Sequence, residues 1–217
     1  MKTKLSLTKQ QYQILDEAYA FFNSKLFDNQ LPEVLIILNR KSPKTFGHFH
    51  AEQYITRQEA SSKKKNKMLI SELSLNPDKF LDHPEIEIMQ TLGHEMVHAW
   101  QRHCTDKQPR GGYHDKIWGR KMEEIGLMPS HTGKPDGKKT GQQMMDYIIA
   151  GGKFEKIAKR FMQSHPSILG SLPQLAASKQ SNKNKVKYSC PSCEANIWGK
   201  PGLHVECVDC SESFMEI

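Results

Sequence analysis

No stretch of the 217 residues approaches the ~20 consecutive apolar residues of a membrane span, so no membrane association through a transmembrane helix is expected. The start, Met1-Lys2-Thr3-Lys4-Leu5, is basic but has no apolar run behind it. Gln10, Gln11, Asp16 and Glu17 interrupt that region, and no secretory signal is expected. Cysteine is scarce. Of five, four form two C-x-x-C pairs, Cys190/Cys193 and Cys207/Cys210, and only Cys104 lies elsewhere. That distribution reads as a metal site rather than a disulfide framework. It points to a reducing compartment: the cytoplasm, or the nucleus if the source is eukaryotic.

Net acidity is also lacking. The formal net charge is +7 and the pI is about 9.1. A positive balance is compatible with nucleic-acid binding. From Tyr188 onward the chain is acidic, with Glu194, Glu206, Asp209, Glu212 and Glu216 against Lys200. The positive excess therefore lies upstream, in Lys63-Lys64-Lys65 and in residues 134–139, 153–160 and 179–187.

The segment His94-Glu95-Met96-Val97-His98 reads H-E-x-x-H inside a helical pattern. A helix turns ~100° per residue, which puts His94 and His98 about 40° apart on one face, where both reach one metal ion. Glu95 falls beside the metal, the place for a general base acting on water. Ile86, Ile88, Met89, Leu92, Met96, Val97 and Trp100 make the helix largely apolar. Burying two histidines and a glutamate there without partners is costly, and a metal with a water molecule satisfies them.

Catalytic zinc usually takes three protein ligands. The compact H-E-x-x-H-x-x-G-x-x-H form is absent. His103 falls about 180° around the helix from His94. Cys104 reads as a buried small apolar residue. His114, after the turn at Pro109, Gly111 and Gly112, is the favoured third ligand, with Glu123 and Glu124 as rivals. Tyr113, His131 and Tyr147 are unranked candidates for stabilising an oxyanion.

The other elements follow from periodicity and turn chemistry. Residues 8–27 read as a helix opened by a Thr8–Gln11 capping box, with Tyr12, Leu15, Tyr19 and Phe22 as a core stripe. Strands are expected at 34–38, 46–50, 68–73 and 144–150. The central helix opens at 82–85, with Asp82 as its cap. A helix is expected over 114–125, ended by Gly126, and another over 154–162. Residues 128–141 read as an exposed loop.

The two C-x-x-C pairs are spaced as a zinc ribbon. Four thiolates, Cys190, Cys193, Cys207 and Cys210, close the shell, so this zinc is structural. The metal supplies the folding energy that so short a segment cannot bury for itself. Trp198 is expected to pack the knuckles, with a contact to nucleic acid or protein as the alternative.

Residues 23–32 (Asn-Ser-Lys-Leu-Phe-Asp-Asn-Gln-Leu-Pro), the Gly47-His48-Phe49 strand, His94-Glu95-Met96-Val97-His98-Ala99 and His114 together resemble the SprT-like domain. The similarity covers about residues 8–165. The resemblance implies an α+β, zincin-like metallopeptidase fold, helices packed on a small sheet, followed by a small four-cysteine zinc ribbon. It implies one catalytic zinc held by His94, His98 and His114, with Glu95 catalytic, and one structural zinc. It further implies cleavage of proteins bound or crosslinked to DNA, the activity of Spartan-type members. The expected division is a peptidase domain at 1–170, a basic linker at 171–187 and the ribbon at 188–217. The expected partners are a protein substrate, and DNA through the basic loops and linker. The alternative reading is a zinc-containing nucleic-acid-binding or regulatory protein with little peptidase activity. Oligomeric state leaves no mark in the sequence.

Overall fold

The computed structural model describes residues 6–40, 45–61, 63, 67–108, 110–170 and 185–217. The chain divides between residues 172 and 173 into two compact units. In order, the first unit contains α1 (Leu7–Leu26), β1 (Val34–Leu38), β2 (Gly47–Tyr54), α2 (Arg57–Ala60) and β3 (Ile70–Leu75). A single 3-10 turn (Pro77–Lys79) leads to α3 (Glu85–Cys104), α4 (Lys116–Ile125), β4 (Leu127–Ser130), β5 (Met145–Ile148) and α5 (Lys153–Ser164). This is an α+β architecture of the zincin-like kind. Among the described residues no helix is long and apolar enough to cross a membrane.

Helix α1 buries Ile14, Leu15, Ala18, Tyr19, Phe22 and Leu26. Tyr12, expected in that stripe, is exposed. The cap is Ser6, whose Oγ accepts from the Lys9 N–H at 3.4 Å, so the Thr8–Gln11 box does not form. Gln11 lies on the buried side instead and accepts the Leu169 N–H at 2.8 Å. The chain reverses after α1 through Asp28 and Asn29, both in the left-handed region. The Asn23 side chain spans that reversal, donating to the Leu31 carbonyl at 3.0 Å and accepting from its N–H at 3.1 Å. A short polar side chain bonded to nearby backbone holds a turn in this way.

The main sheet has the order β1-β3-β2, with β1 parallel and β2 antiparallel to the central β3. Leu73 and Leu75 point into the core, where Val34, Ile36, Leu38 and Phe49 pack from the flanking strands. Alternation sends the intervening residues to the other face. A bulge follows His50 in β2, with Glu52 at positive φ.

Helix α3 packs Ile88, Met89, Leu92, Met96, Val97 and Ala99 into the same core. Its N-cap is Pro84, with no side-chain cap bond, so Asp82 does not cap it. Glu85 instead accepts the Ile168 N–H at 3.2 Å. Gly93 permits a close crossing: a Cβ there would sit 2.9 Å from the Phe154 ring and 3.3 Å from Leu127. Helix α4 starts two residues later than expected. Asp115 caps it, its Oδ1 accepting the N–H groups of Ile117 and Trp118 at 2.9 and 3.0 Å. Gly126, left-handed at φ 100°, ends it. Part of the expected 128–141 loop is strand β4, paired antiparallel with β5. Helix α5 closes the core with Phe154, Ala158 and Phe161.

The second unit holds β6 (Val186–Ser189), β7 (Asn196–Gly199), β8 (Glu206–Cys207), β9 (Glu212–Ser213) and β10 (Met215–Glu216). They form a three-stranded sheet, β10-β6-β7, and a β8-β9 hairpin. Strand β6 begins inside the stretch expected as linker; residues 171–184 of that stretch lie outside the described residues. Among the described residues the buried apolar ones here are Tyr188, Cys190 and Cys207, a core too small to hold a fold without a cross-link. Tyr188 serves as its pin: the hydroxyl donates to the Lys200 carbonyl at 2.6 Å and accepts the Leu203 N–H at 2.9 Å.

Candidate metal centre

His94 and His98 stand one turn apart on α3, with ring centroids 5.2 Å from each other. His114 reaches them from the segment before α4, not from the first turn of that helix. Two backbone bonds to Gly141, at 2.8 and 3.1 Å, hold it there. Its Nδ1 lies 3.3 Å from the Gly141 carbonyl, which leaves Nε2 to face the other histidines. His98 Nε2 and His114 Nε2 are 3.0 Å apart. One donor nitrogen from each of the three lies within 4.8 Å of the others. Tetrahedral zinc with bonds of ~2.0–2.1 Å separates two donors by about 3.3 Å, so the arrangement fits such an ion.

His94 is oriented by a residue that sequence reasoning missed. Its Nδ1 lies 2.8 Å from Asp146 Oδ1 on β5. A carboxylate can only accept, so Nδ1 carries the proton and Nε2 is left to bind. Asp146 is itself held by Gln90, whose amide donates to its Oδ2 and its carbonyl, both at 2.8 Å. A lone carboxylate inside the apolar 144–150 run was the available signal. Trp118, read from sequence only as part of an apolar helix face, is fully buried. Its ring lies 5.0, 5.6 and 4.5 Å from the His94, His98 and His114 rings and forms a wall behind all three.

Two of the three histidines are held toward the neutral form that ligation requires. Burial, then the neighbouring His94, hold His114 down to about 4. Burial and the charges of His94 and His114 hold His98 well below its ordinary value. Burial opposes charge on His94 too, but the Asp146 hydrogen bond and the Glu95 and Asp146 charges outweigh it and raise the group.

Glu95 is buried beside this cluster. Burial outweighs the downward pull of the His94 charge and, with the Asp146 charge, raises its carboxyl to about 7. Strand β2 comes close here. A Cβ on Gly47 would lie 3.2 Å from Glu95 Cγ, 2.9 Å from Thr91 Cγ2 and 2.9 Å from the Ser74 carbonyl. Only a glycine lets the strand approach α3 this closely.

The rival glutamates are elsewhere. Glu123 pairs with Lys139 at 2.8 Å and Glu124 with Lys121 at 2.7 Å. His103 faces away and meets Ser71 Oγ at 2.9 Å. Cys104, expected to be buried, is exposed at the end of α3. Arg110 sits over the Tyr113 ring at 4.9 Å, and His131 Nδ1 accepts the Lys138 N–H at 2.8 Å.

In the second unit the four sulfurs of Cys190, Cys193, Cys207 and Cys210 converge within 4.8 Å. Cys193 and Cys207 are 3.8 Å apart, the edge of a tetrahedron with Zn–S bonds of ~2.3 Å. Backbone N–H groups of Cys193 and Ser192 help hold the Cys190 thiol down to about 7, while the Cys193 sulfur and burial push Cys210 up to about 12. Four such thiols ionise together only around a cation, which is what a zinc ribbon supplies. Trp198, expected to pack the knuckles, is 64% exposed and pairs across the strands with Lys187.

A helix presenting two histidines and a buried glutamate, with a third histidine folded over it beside a small sheet, defines a zincin-like domain of metallopeptidase type. The chain belongs to the SprT-like family, which it matches over residues 15–137. It is also similar to the "Uncharacterized protein in mucB 3'region" of Salmonella typhimurium. The two are 41% identical over 51 residues, 24% of this chain and 68% of that protein. The family match contains all three histidines and Glu95 but ends before Asp146.

Proposed function

We propose that this protein is a zinc metalloendopeptidase acting on proteins bound to DNA. The observation that carries the reading is the convergence of His94, His98 and His114 beside a buried glutamate. These three histidines hold the catalytic ion, and Cys190, Cys193, Cys207 and Cys210 hold a structural one. When bound at the histidines, zinc supplies Lewis acidity, which polarises a carbonyl and acidifies water.

The protein's own groups do the rest. Glu95 takes the proton from the attacking water, whose oxygen bonds to the scissile carbonyl carbon. As the C–N bond breaks, Glu95 returns that proton to the leaving nitrogen. Burial raises the Glu95 carboxyl above the ordinary range, which eases its uptake of that proton. Asp146 and Gln90 keep His94 in one tautomer. Trp118 and the surrounding core exclude water from the back of the site.

DNA enters the proposal through charge. Lys63 is exposed, Lys185 precedes β6 and Lys187 lies within it; Lys64, Lys65 and Lys183 lie outside the described residues. Contacts from these lysines would be to phosphates, carrying little base preference. The test is cleavage of a DNA-binding protein with and without duplex DNA, over a salt series. The proposal expects faster cleavage with DNA. It also expects affinity to fall as salt rises, with a log–log slope of about −0.9 per contacted phosphate. Cleavage indifferent to DNA would leave a general peptidase. DNA binding that persists with no cleavage, in the parent as in Glu95→Gln, would favour the nucleic-acid-binding alternative.

A further inference from the structure

Strand β2 carries two more histidines, His48 and His50. Being two residues apart they share a face of the sheet, with ring centroids 4.5 Å from each other. That face is the one turned away from α3. Gly47, whose missing side chain would meet Thr91 and Glu95, and Phe49, 6.3 Å from the His103 ring, define the α3 side. Opposite His50 in the register stands Glu72 of the central strand. Its Oε1 lies 3.1 Å from His48 Nε2. One donor atom from each of His48, His50 and Glu72 lies within 4.8 Å of the others.

We propose that His48, His50 and Glu72 form a further metal site, for a divalent transition cation such as zinc, on the opposite face of the sheet from the His94 cluster. Two imidazoles and one carboxylate are a donor set of the kind zinc takes. The 3.1 Å separation matches the ~3.3 Å edge of its tetrahedral shell. The carboxylate is oriented as ligating carboxylates are. Ser74 Oγ donates to Oε1 at 2.5 Å, and the Tyr54 hydroxyl donates to Oε2 at 2.7 Å. The bulge after His50 is what carries Tyr54 back to Glu72. A simple His48–Glu72 ion pair accounts for two of the three groups and gives no reason for His50 to join them. The histidines are half-buried, so an ion can enter.

The role assigned to this ion is to clamp edge strand β2 onto β3, and so to fix Gly47 against Glu95. It contributes no group to the chemistry, and the site stands whether or not the His94 cluster loads.

The experiment is a zinc count on the full chain, equilibrated at fixed free Zn²⁺ with a competing chelator. Parent and His50→Ala are compared, with circular dichroism to check folding. The parent should hold one more ion than His50→Ala. Equal counts would overturn the site. A second measurement avoids dependence on that variant. In His94→Ala/His98→Ala with the cysteines filled by zinc, added Co²⁺ should bind at one equivalent. It should give d–d absorption without a thiolate charge-transfer band. No cobalt uptake, or uptake that persists when His50→Ala is added, would overturn the inference.

Discussion

Replacing Asp146 by asparagine removes one charge and almost no volume from a position that touches no substrate in the proposed reaction. The carboxylate is 9% exposed, accepts from His94 Nδ1 at 2.8 Å and accepts from Gln90 at 2.8 Å. Asparagine has one oxygen where aspartate has two. If that oxygen stays on His94, its NH2 group faces the Gln90 amide donor, and that bond is lost. If it turns to Gln90, His94 loses its acceptor and its fixed tautomer. Either way His94 loses a negative charge that raises its basicity. Partners of this kind change metal affinity by ~10–100-fold. At about 1.4 kcal/mol per tenfold, the expected loss is about 1.4–2.8 kcal/mol of zinc binding. The assay is competition for zinc with a chromophoric chelator, with the four-cysteine site as the internal reference. Asp146→Asn should release zinc from the histidine cluster at ~10–100-fold lower chelator activity, with the cysteine site unmoved. Unchanged affinity at the histidines would refute the orienting role. So would an equal loss at both sites, which would mean general unfolding.

His114→Ala should strip the histidine-site zinc and abolish cleavage, while Glu123→Ala and Glu124→Ala should change zinc content little, because those carboxylates are paired with Lys139 and Lys121; elemental analysis decides. Gly47→Ala should destabilise the first unit by about 1–3 kcal/mol in denaturant unfolding, since its Cβ would press on the Ser74 carbonyl, which is backbone and cannot swing aside.

The parts of the site that were legible in the sequence are those that depend on local geometry. His94 and His98 sit on one helix, where i, i+4 spacing alone makes them neighbours. The cysteine pairs carry their own spacing. His114 needed a tertiary judgement, that the turn at Gly111 and Gly112 folds back. The side chain arrives beside the other two, but Asp115, not His114, opens the helix. Asp146 is marked in the sequence only as a lone carboxylate in an apolar run, and nothing local links β5 to α3; the β4–β5 pairing and the Gln90 bonds bring it in. Cap choice failed for a similar reason. Thr8 and Gln11 match a capping box, yet Ser6 lies just upstream and burial of Gln11 against Leu169 competes for its amide. Cys104 was expected inside on composition, but it is the last residue of α3, where the helix leaves the core. Trp198 was expected to pack inward, and the small ribbon sheet leaves it outside.

The central claim, that Glu95 moves the proton in a peptide hydrolysis at the three-histidine site, is tested most directly by Glu95→Gln. The amide keeps the size of the side chain and cannot act as a base. With zinc counted in the same samples, the variant should retain the histidine-site ion and lose ~10²–10⁴-fold or more in cleavage rate of a DNA-bound protein substrate. Cleavage by Glu95→Gln at the parent's rate, with zinc in place, would contradict the account.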